Sequence, residues 1–288
     1  MAQILDGKAL NEKIAEELSV QVAKLDPKPK LVIIQVGDVP ESNAYIGRKI
    51  KFGEKIGAIV DHQKFPEDVT QGKLQSTILA LNTDSSVHGI IVQLPIPKHL
   101  DKDAVIDSID PKKDVDGQTA VNLKHLWEGK KGGFVPATTK GVITILDHYK
   151  IPVDRQNVVV VGRSSLVGKP TALAFLQRDA TVTICHKATK NLPAYTKAAD
   201  IIAVAVGKPN LIGKEHVTKN QTIIDVGINA VEPEQTGSDP VKNRLIGDVN
   251  FNEVKDIVGA ITPVPGGVGP MTVASLFQNL LEAYMRQK

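Results

Sequence analysis

The stretch VVVVGRSSLVGKPTALAFL, residues 158–176, presents in order a β-branched strand, a turn between two glycines and an apolar helix. Gly162 and Gly168 are separated by five residues, so the spacing differs from the GxGxxG of many dinucleotide sites. Glycine lets the backbone approach a pyrophosphate closely, and the helix N-terminus offers it unpaired N–H groups. The order of strand, turn and helix therefore predicts a dinucleotide-binding turn; the alternative is a tight connection without a ligand.

Similar alternations of strand and helix patterns extend along the chain on both sides of this stretch. In the second half, strands are predicted at residues 157–162, 181–186, 201–207 and 222–227. In the first half, strands are predicted at 31–36, 58–65 and 89–97, and helices at 7–25, 42–57 and 70–82. The two series flank residues 110–150 and predict an α/β protein with two α/β domains, the second a Rossmann-like parallel-sheet domain.

The C-terminal segment, residues 271–288, has the periodicity of an amphipathic helix. Val273, Leu276, Leu280 and Tyr284 form its apolar stripe. Because such a stripe is stable only when it is covered, we expect this helix to pack back on the first domain.

The end of the second predicted strand indicates which dinucleotide binds. An NAD site usually has an acidic residue there, which binds the ribose 2′-hydroxyl. This chain has Cys185, His186 and Lys187 instead, and Arg163 and Ser164 follow the first strand. Positive charges and a hydroxyl suit a 2′-phosphate, so the sequence predicts NADP rather than NAD.

Composition excludes several classes of protein. The chain has 288 residues, 42% hydrophobic and 23% charged, which suggests two globular domains. A net charge of +3 and 4% aromatic residues, without a long basic run, argue against nucleic-acid binding. A single cysteine permits no intrachain disulfide, and we find neither a signal pattern nor an apolar run that could span a bilayer. We expect a soluble cytoplasmic protein without membrane contact.

The segment SNAYIGRKIKF, residues 42–52, contains a lysine of unusual position. On a helical wheel of about 100° per residue, Arg48, Lys51 and Lys55 form one solvated stripe. Lys49 lies about 40° from Tyr45, between that tyrosine and the apolar face. A lysine there is partly desolvated, which lowers its pKa, or it snorkels along the edge of the core.

Several motifs together resemble one family. They are YIGRK (45–49), GIIVQLPIP (89–97), DPKKDVDG (110–117), GRSSLVGKP (162–170), VAVGKP (204–209), DVGIN (225–229) and TPVPGGVGPMT (262–272). In this order they resemble the bifunctional methylenetetrahydrofolate dehydrogenase/methenyltetrahydrofolate cyclohydrolases, and the match runs from the first helix to the last.

The resemblance implies NADP-dependent oxidation of 5,10-methylenetetrahydrofolate and hydrolysis of the methenyl product to 10-formyltetrahydrofolate. It also implies a homodimer, with the folate substrate in a cleft between two domains. We expect residues 1–118 and 267–288 to form the folate-binding catalytic domain and residues 119–266 to form the NADP-binding domain. No metal is implied.

The resemblance also implies roles for individual residues. Its catalytic positions are Tyr45, Lys49, Gln93 and Asp116. Its substrate contacts are these four together with Val92, Leu94, Pro265, Gly266, Gly267, Val268 and Gly269. Its NADP contacts are Gly162, Arg163, Ser164, Lys187 and Ile228. Lys49 is expected to transfer protons and Gln93 to orient it, while Tyr45 stacks on the aminobenzoyl ring and Asp116 binds the pterin.

Purely structural roles are the alternative for several of these residues. Asp114 and Asp116 suit capping positions beside a glycine, and Tyr45 suits ordinary packing. Their DxDG string resembles the start of a calcium-binding loop, but no full loop of alternating ligands with a distal glutamate follows. Cys185 is expected in the core and His186 in a polar lining.

Two departures from the family pattern bear on function. The usual P-C-T-P reads Pro136-Ala137-Thr138-Thr139, and Lys187 stands where some relatives have serine. The alternatives to two activities are an enzyme that retains one of them and a non-catalytic NADP-binding module.

Overall fold

The computed structural model describes residues 2–231 and 244–288 of the chain. Its strands are β1 (Gln3–Ile4), β2 (Lys30–Val36), β3 (Ile59–Phe65), β4 (Gly89–Val92), β5 (Asn157–Val161), β6 (Thr181–Cys185), β7 (Ile201–Val204), β8 (Thr222–Asp225), β9 (Asn229–Val231), β10 (Arg244–Ile246) and β11 (Ala260–Ile261). Its helices are α1 (Gly7–Ala23), α2 (Pro40–Ile56), α3 (Gln71–Thr83), α4 (Lys102–Ile106), α5 (Ala120–Glu128), α6 (Ala137–His148), α7 (Gly168–Leu176), α8 (Leu192–Thr196), α9 (Phe251–Val254) and α10 (Val268–Arg286). The predicted alternation of strands and helices is confirmed.

The chain divides into two compact units. The large-sheet unit comprises residues 1–11 and 138–272, and the small-sheet unit comprises residues 12–137 and 273–288. This division confirms the predicted pair of α/β domains, whereas the limits given above for the catalytic and NADP-binding domains stay predictions.

The small-sheet unit is built on the parallel sheet β3-β2-β4. From Leu31 to Val36 every residue of β2 is buried, as expected for a β-branched run covered on both faces. The C-terminal part of α10 belongs to this unit: the Phe277 ring lies 5.1 Å from that of Phe52, and the Tyr284 hydroxyl donates to the Pro27 carbonyl at 2.8 Å. The C-terminal helix therefore packs on the first domain, as predicted.

One glycine sets how closely α2 approaches this sheet. A Cβ at Gly53 would overlap the Val60 side chain on β3 and would lie 3.2 Å from the Phe277 ring. The missing side chain thus lets α2 lie directly against β3 and α10. Because α2 carries Tyr45 and Lys49, this contact fixes the height of both above the sheet.

The large-sheet unit contains the parallel sheet β1-β11-β8-β7-β5-β6. The chain passes from β5 through α7 to β6 on one side, and then returns to β7 on the other side of β5. Strand order therefore reverses between β5 and β7. In open α/β sheets, ligands bind beside the carboxyl ends of strands at such a point.

Within the described parts of the chain, no helix is both long and apolar enough to cross a membrane.

Candidate active site

Helix α2 presents the first two residues of the candidate site. It begins at Pro40, whose fixed φ suits a first helical turn, and it ends at Gly57 in a left-handed conformation. The predicted solvated stripe is exposed at Arg48, Lys51 and Lys55, and Lys55 forms an ion pair with Glu12. Lys49 is partly buried. The helical wheel thus separated Lys49 from the exposed bases of the same helix.

Lys49 and Gln93 are joined directly. The Lys49 Nζ donates to the Gln93 Oε1 at 2.9 Å, and the Gln93 Nε2 donates to the Leu94 carbonyl at 2.9 Å. This second bond fixes which end of the amide faces the lysine. Gln93 follows β4 immediately, and its backbone N–H donates to the Ile34 carbonyl on β2 at 2.8 Å. The sheet edge therefore holds the partner of the lysine in place.

Desolvation shifts the pKa of Lys49 and of Asp116 toward their neutral forms. Burial lowers the pKa of the Lys49 amine, and the Asp116 carboxylate opposes that shift. Burial raises the pKa of Asp116 to about 6; the Lys49 charge opposes this shift and the Asp114 charge adds to it. An amine and a carboxyl that influence each other and are both partly buried are characteristic of proton-handling sites.

The two aspartates of DxDG have different surroundings. Asp114 is fully buried, and its Oδ2 accepts from the Thr119 backbone N–H at 2.7 Å and the Asn122 Nδ2 at 2.8 Å. Asp114 thus anchors the start of α5, although the residue that caps this helix is Thr119. The carboxyl of Asp116, in contrast, interacts electrostatically with Lys49.

Sequence analysis missed a partner of Tyr45. The Arg48 guanidinium lies 5.3 Å from the centre of the Tyr45 ring. Burial raises the pKa of this half-buried tyrosine, and the arginine charge opposes the shift. Arg48 is therefore more than a solvated base, because it covers part of the ring. The sequence could have indicated this contact, because Tyr45 and Arg48 are three residues apart on a helix and such side chains are neighbours.

The remaining predicted substrate contacts lie at two places. In the small-sheet unit, Val92 is buried at the end of β4, and the Leu94 carbonyl accepts from Gln93. The other contacts lie in the large-sheet unit: Pro265, Gly266 and Gly267 lead into α10, and Val268 and Gly269 are its first two residues. There the Gly266 carbonyl accepts from the Lys8 N–H at 2.8 Å.

The predicted dinucleotide turn has the close contacts that require glycine. Gly162 has φ +132°, and a Cβ there would overlap the Ala205 carbonyl oxygen, just after β7. A Cβ at Gly168 would overlap the Gly162 carbonyl oxygen. The Gly-x₅-Gly spacing thus brings the end of β5, the loop after β7 and the start of α7 together. Ser164 also supports this turn, since its Oγ accepts from the Val167 and Gly168 N–H groups at 3.2 Å each.

Arg163 and Lys187 reach the same edge of the sheet. Val161 on β5 pairs with Cys185 on β6, and each base follows its strand end by two residues. Both side chains are exposed. Cys185 lies in the core, as expected, and burial raises the pKa of its thiol.

Ile228, a predicted NADP contact, lies close to Gly269, a predicted substrate contact, within the large-sheet unit. It follows β8 and is partly buried, and its Cδ1 lies 3.1 Å from where a Cβ at Gly269 would stand. The structure also places together two buried aspartates that sequence analysis missed, Asp225 and Asp248. DVGIN (225–229) was noticed as a motif, but no local pattern connects it to residue 248.

Comparison with known proteins identifies relatives along nearly the whole chain. The catalytic-domain model of the tetrahydrofolate dehydrogenase/cyclohydrolase family matches residues 5–116, and its NAD(P)-binding-domain model matches residues 136–288. The bifunctional protein FolD of Acholeplasma laidlawii is 44% identical over 285 residues, 99% of this chain and 99% of its own.

Solved structures agree. The bifunctional FolD methylenetetrahydrofolate dehydrogenase/cyclohydrolase of Campylobacter jejuni is 40% identical, with a TM-score of 0.95 over 100% of both chains. The Trypanosoma brucei enzyme, solved with NADP and an inhibitor, is 35% identical, with a TM-score of 0.93 over 99% of this chain and 98% of its own. These matches confirm the resemblance of the motifs, and the chain belongs to the tetrahydrofolate dehydrogenase/cyclohydrolase family.

Proposed function

We propose that this protein oxidises 5,10-methylenetetrahydrofolate with NADP and hydrolyses the methenyl product to 10-formyltetrahydrofolate. The observation that carries the proposal is the desolvated Lys49 amine, bonded to Gln93 and influenced by Asp116, in a chain that matches both domains of the family. Residues for both activities are present, which favours a bifunctional enzyme over one that retains a single activity or a non-catalytic module.

The oxidation depends mainly on positioning. The residues at the end of β5 suit a dinucleotide, since Gly162 and Gly168 let the end of β5, the loop after β7 and the start of α7 approach one another closely. Bound NADP would accept the hydride of the folate methylene carbon. Tyr45 offers a flat face to the aminobenzoyl ring, and an ionised Asp116 accepts hydrogen bonds from the pterin amide and amino groups.

The hydrolysis needs a group that gains and loses protons near neutral pH. The attacking water loses one proton as its oxygen bonds to the methenyl carbon. As the bond from that carbon to N5 breaks, the adduct loses its hydroxyl proton and N5 gains one, so one proton is released overall. A neutral Lys49 amine can accept the proton of the water and pass a proton onward. The cationic methenyl substrate lowers the pKa of that amine further, and Gln93 orients the amine.

A 2′-phosphate on the cofactor would meet Arg163 and Lys187. We expect Lys187→Glu to raise the KM for NADP about tenfold to hundredfold, because a charge-assisted bond of about 1.5–3 kcal/mol is replaced by repulsion. The KM for NAD should change much less. Initial rates of cofactor reduction with each dinucleotide measure both constants, and an equal effect on NADP and NAD would contradict a phosphate contact.

The pKa of Asp116 predicts a pH dependence of folate binding. Since burial raises that pKa to about 6, the carboxylate that accepts pterin hydrogen bonds is lost as pH falls from 7 to 5. We expect the KM for the methenyl substrate to rise about tenfold over this range, one decade per pH unit below the pKa. Asp116→Asn should bind weakly at every pH and flatten the profile. A variant that keeps the steep profile would assign it to another group.

An absorbance time course tests the whole proposal. Methylenetetrahydrofolate is added with NADP and then, in a separate run, with NAD, while the formation and decay of the methenyl absorbance are followed. Formation followed by enzyme-dependent decay is expected with NADP. Formation without accelerated decay would leave only a dehydrogenase, and no formation would contradict the proposed oxidation.

We further propose that the protein acts in the cytoplasm as a homodimer. Light scattering after size-exclusion chromatography should give about twice the mass of one 31.0 kDa chain. A monomer mass at micromolar concentration would refute the dimer.

A further inference from the structure

Two buried carboxylates in the large-sheet unit take no part in the chemistry proposed above. Asp225 ends β8, and Asp248 follows β10. Their side chains are 3% and 0% exposed, respectively. Removing two carboxylates from water is costly unless their oxygens are well bonded, so a specific use is expected.

Asp248 collects hydrogen bonds from two loops. Its Oδ2 accepts from the backbone N–H groups of Val206 at 2.7 Å and Gly207 at 2.9 Å. Its Oδ1 accepts from the Lys208 N–H at 2.8 Å and the Asn229 Nδ2 at 3.0 Å. All four partners donate, which is the pattern of an ionised carboxylate. One side chain thus ties the loop after β7 to the segment after β8.

Asp225 in turn holds Asp248. Its Oδ1 accepts from the Gly227 and Asp248 N–H groups at 2.9 and 3.1 Å, and its Oδ2 accepts from the Val249 N–H at 2.9 Å. Burial raises the pKa of Asp225 to about 7, against the effect of these backbone donors. Gly227 and Gly247 make room for the two carboxyl groups, since a Cβ at Gly227 would overlap that of Asp248 and a Cβ at Gly247 would overlap that of Asp225.

The backbone held in this way borders the cofactor turn. Residues 206–208 begin directly after Ala205, whose carbonyl oxygen occupies the space that a Cβ at Gly162 would need. Asn229 directly follows Ile228, an expected NADP contact. Both segments lie at the carboxyl ends of strands beside the point where strand order reverses. Their backbone positions therefore shape the edge of the sheet beside the carboxyl end of β5.

We infer that Asp248 is a positioning residue for the nicotinamide nucleotide. Its carboxylate fixes residues 206–208 and the segment after β8 in the arrangement that the cofactor requires, and it acts through backbone N–H groups without touching the cofactor. This inference rests on the proposed function in one respect, namely that the ligand at this turn is NADP.

Asp248→Asn in the full-length protein tests the inference. In either orientation of the new amide, its NH₂ group faces N–H donors. The variant therefore loses hydrogen bonds to residues 206–208 or to Asn229, while the volume of the side chain is almost unchanged. The dissociation constant of NADP is measured by titration calorimetry, and the cyclohydrolase rate on methenyltetrahydrofolate is measured without added cofactor. We expect NADP affinity to fall about tenfold to hundredfold, the consequence of unpaired buried donors, and cyclohydrolase activity to stay within threefold.

An unchanged NADP affinity, or a parallel loss of NADP affinity and cyclohydrolase activity, would overturn the positioning role. If Asp248→Asn does not fold, Asn229→Ala tests the same role. This change removes one of the four donors to the Asp248 carboxylate, and the Asn229 side chain that is lost is only partly buried. We expect about a threefold to tenfold loss of NADP affinity from this variant, and no loss from Asn250→Ala, whose side chain does not cap its helix. Equal affinities in these two variants would also refute the role. Failure of the wild-type protein to bind NADP would instead refute the proposed function.

Discussion

Lys49→Gln will lower cyclohydrolase turnover at least a hundredfold and leave NADP binding close to that of the wild-type protein. General acid–base groups contribute about 10²–10⁴-fold to turnover, and the glutamine amide cannot exchange protons near neutral pH. The replacement is similar in length and keeps a donor for the Gln93 carbonyl oxygen, so the loss should report the missing proton transfer. Decay of methenyl absorbance measures turnover, and titration calorimetry measures the affinity for NADP.

Lys51→Gln is the matched control for this experiment. Lys51 lies two residues further along α2 and is exposed, so the same change of charge and size occurs away from Gln93 and Asp116. We expect it to keep at least half of the wild-type turnover. Rapid methenyl hydrolysis by Lys49→Gln would refute proton transfer through the lysine, and an equal loss in both variants would assign the effect to net charge.

The pH profile of the wild-type protein separates proton transfer from simple charge stabilisation. Because burial lowers the pKa of Lys49, the neutral amine becomes more abundant as pH rises toward that value. The enzyme-catalysed rate should therefore increase with pH at saturating methenyl substrate. A lysine that acted only as a positive charge would give the opposite slope.

Local sequence patterns predicted which residues belong to the candidate site, but they did not predict which residues contact one another there. The helical wheel separated Lys49 from its exposed neighbours, and the prolines after β4 indicated that Gln93 ends a strand. These are properties of single elements. Asp114 and Asp116 could not be distinguished by spacing, because one anchors α5 and the other interacts with a lysine 67 positions earlier. Only tertiary contacts separate those roles.

The cofactor turn illustrates the same limit. Its glycines were evident, but their spacing departs from the common fingerprint, so sequence alone left open a turn without a ligand. The structure explains both positions by contacts with the loop after β7 and within the turn itself. Asp225 and Asp248 were beyond sequence reasoning for a related reason. The bonds of Asp225 reach residues 23 and 24 positions away, and those of Asp248 to residues 206–208 span 40 to 42 positions. None of these segments has a local period that indicates the others.

Gly162→Ala should abolish NADP reduction and destabilise the large-sheet unit. The new Cβ would overlap the Ala205 carbonyl, which belongs to backbone and cannot rotate away as a side chain can, and φ +132° is unfavourable for alanine. Overpacking and backbone strain together cost about 3 kcal/mol or more. We expect the midpoint of thermal unfolding to fall by roughly 6–12 °C, at 2–4 °C per kcal/mol for a domain of this size.

Gly207→Ala separates steric overlap from backbone conformation. Gly207 also has a positive φ, +66°, but a Cβ there would meet no atom within 4 Å. Its replacement should cost only the left-handed penalty of about 1–2 kcal/mol, or a few degrees in the unfolding midpoint. If both variants lose the same stability, the contact between Gly162 and Ala205 is not what requires glycine at the cofactor turn. If Gly162→Ala lowers the unfolding midpoint clearly more than Gly207→Ala does, the requirement for glycine at position 162 arises from the close approach of the loop after β7 to the end of β5.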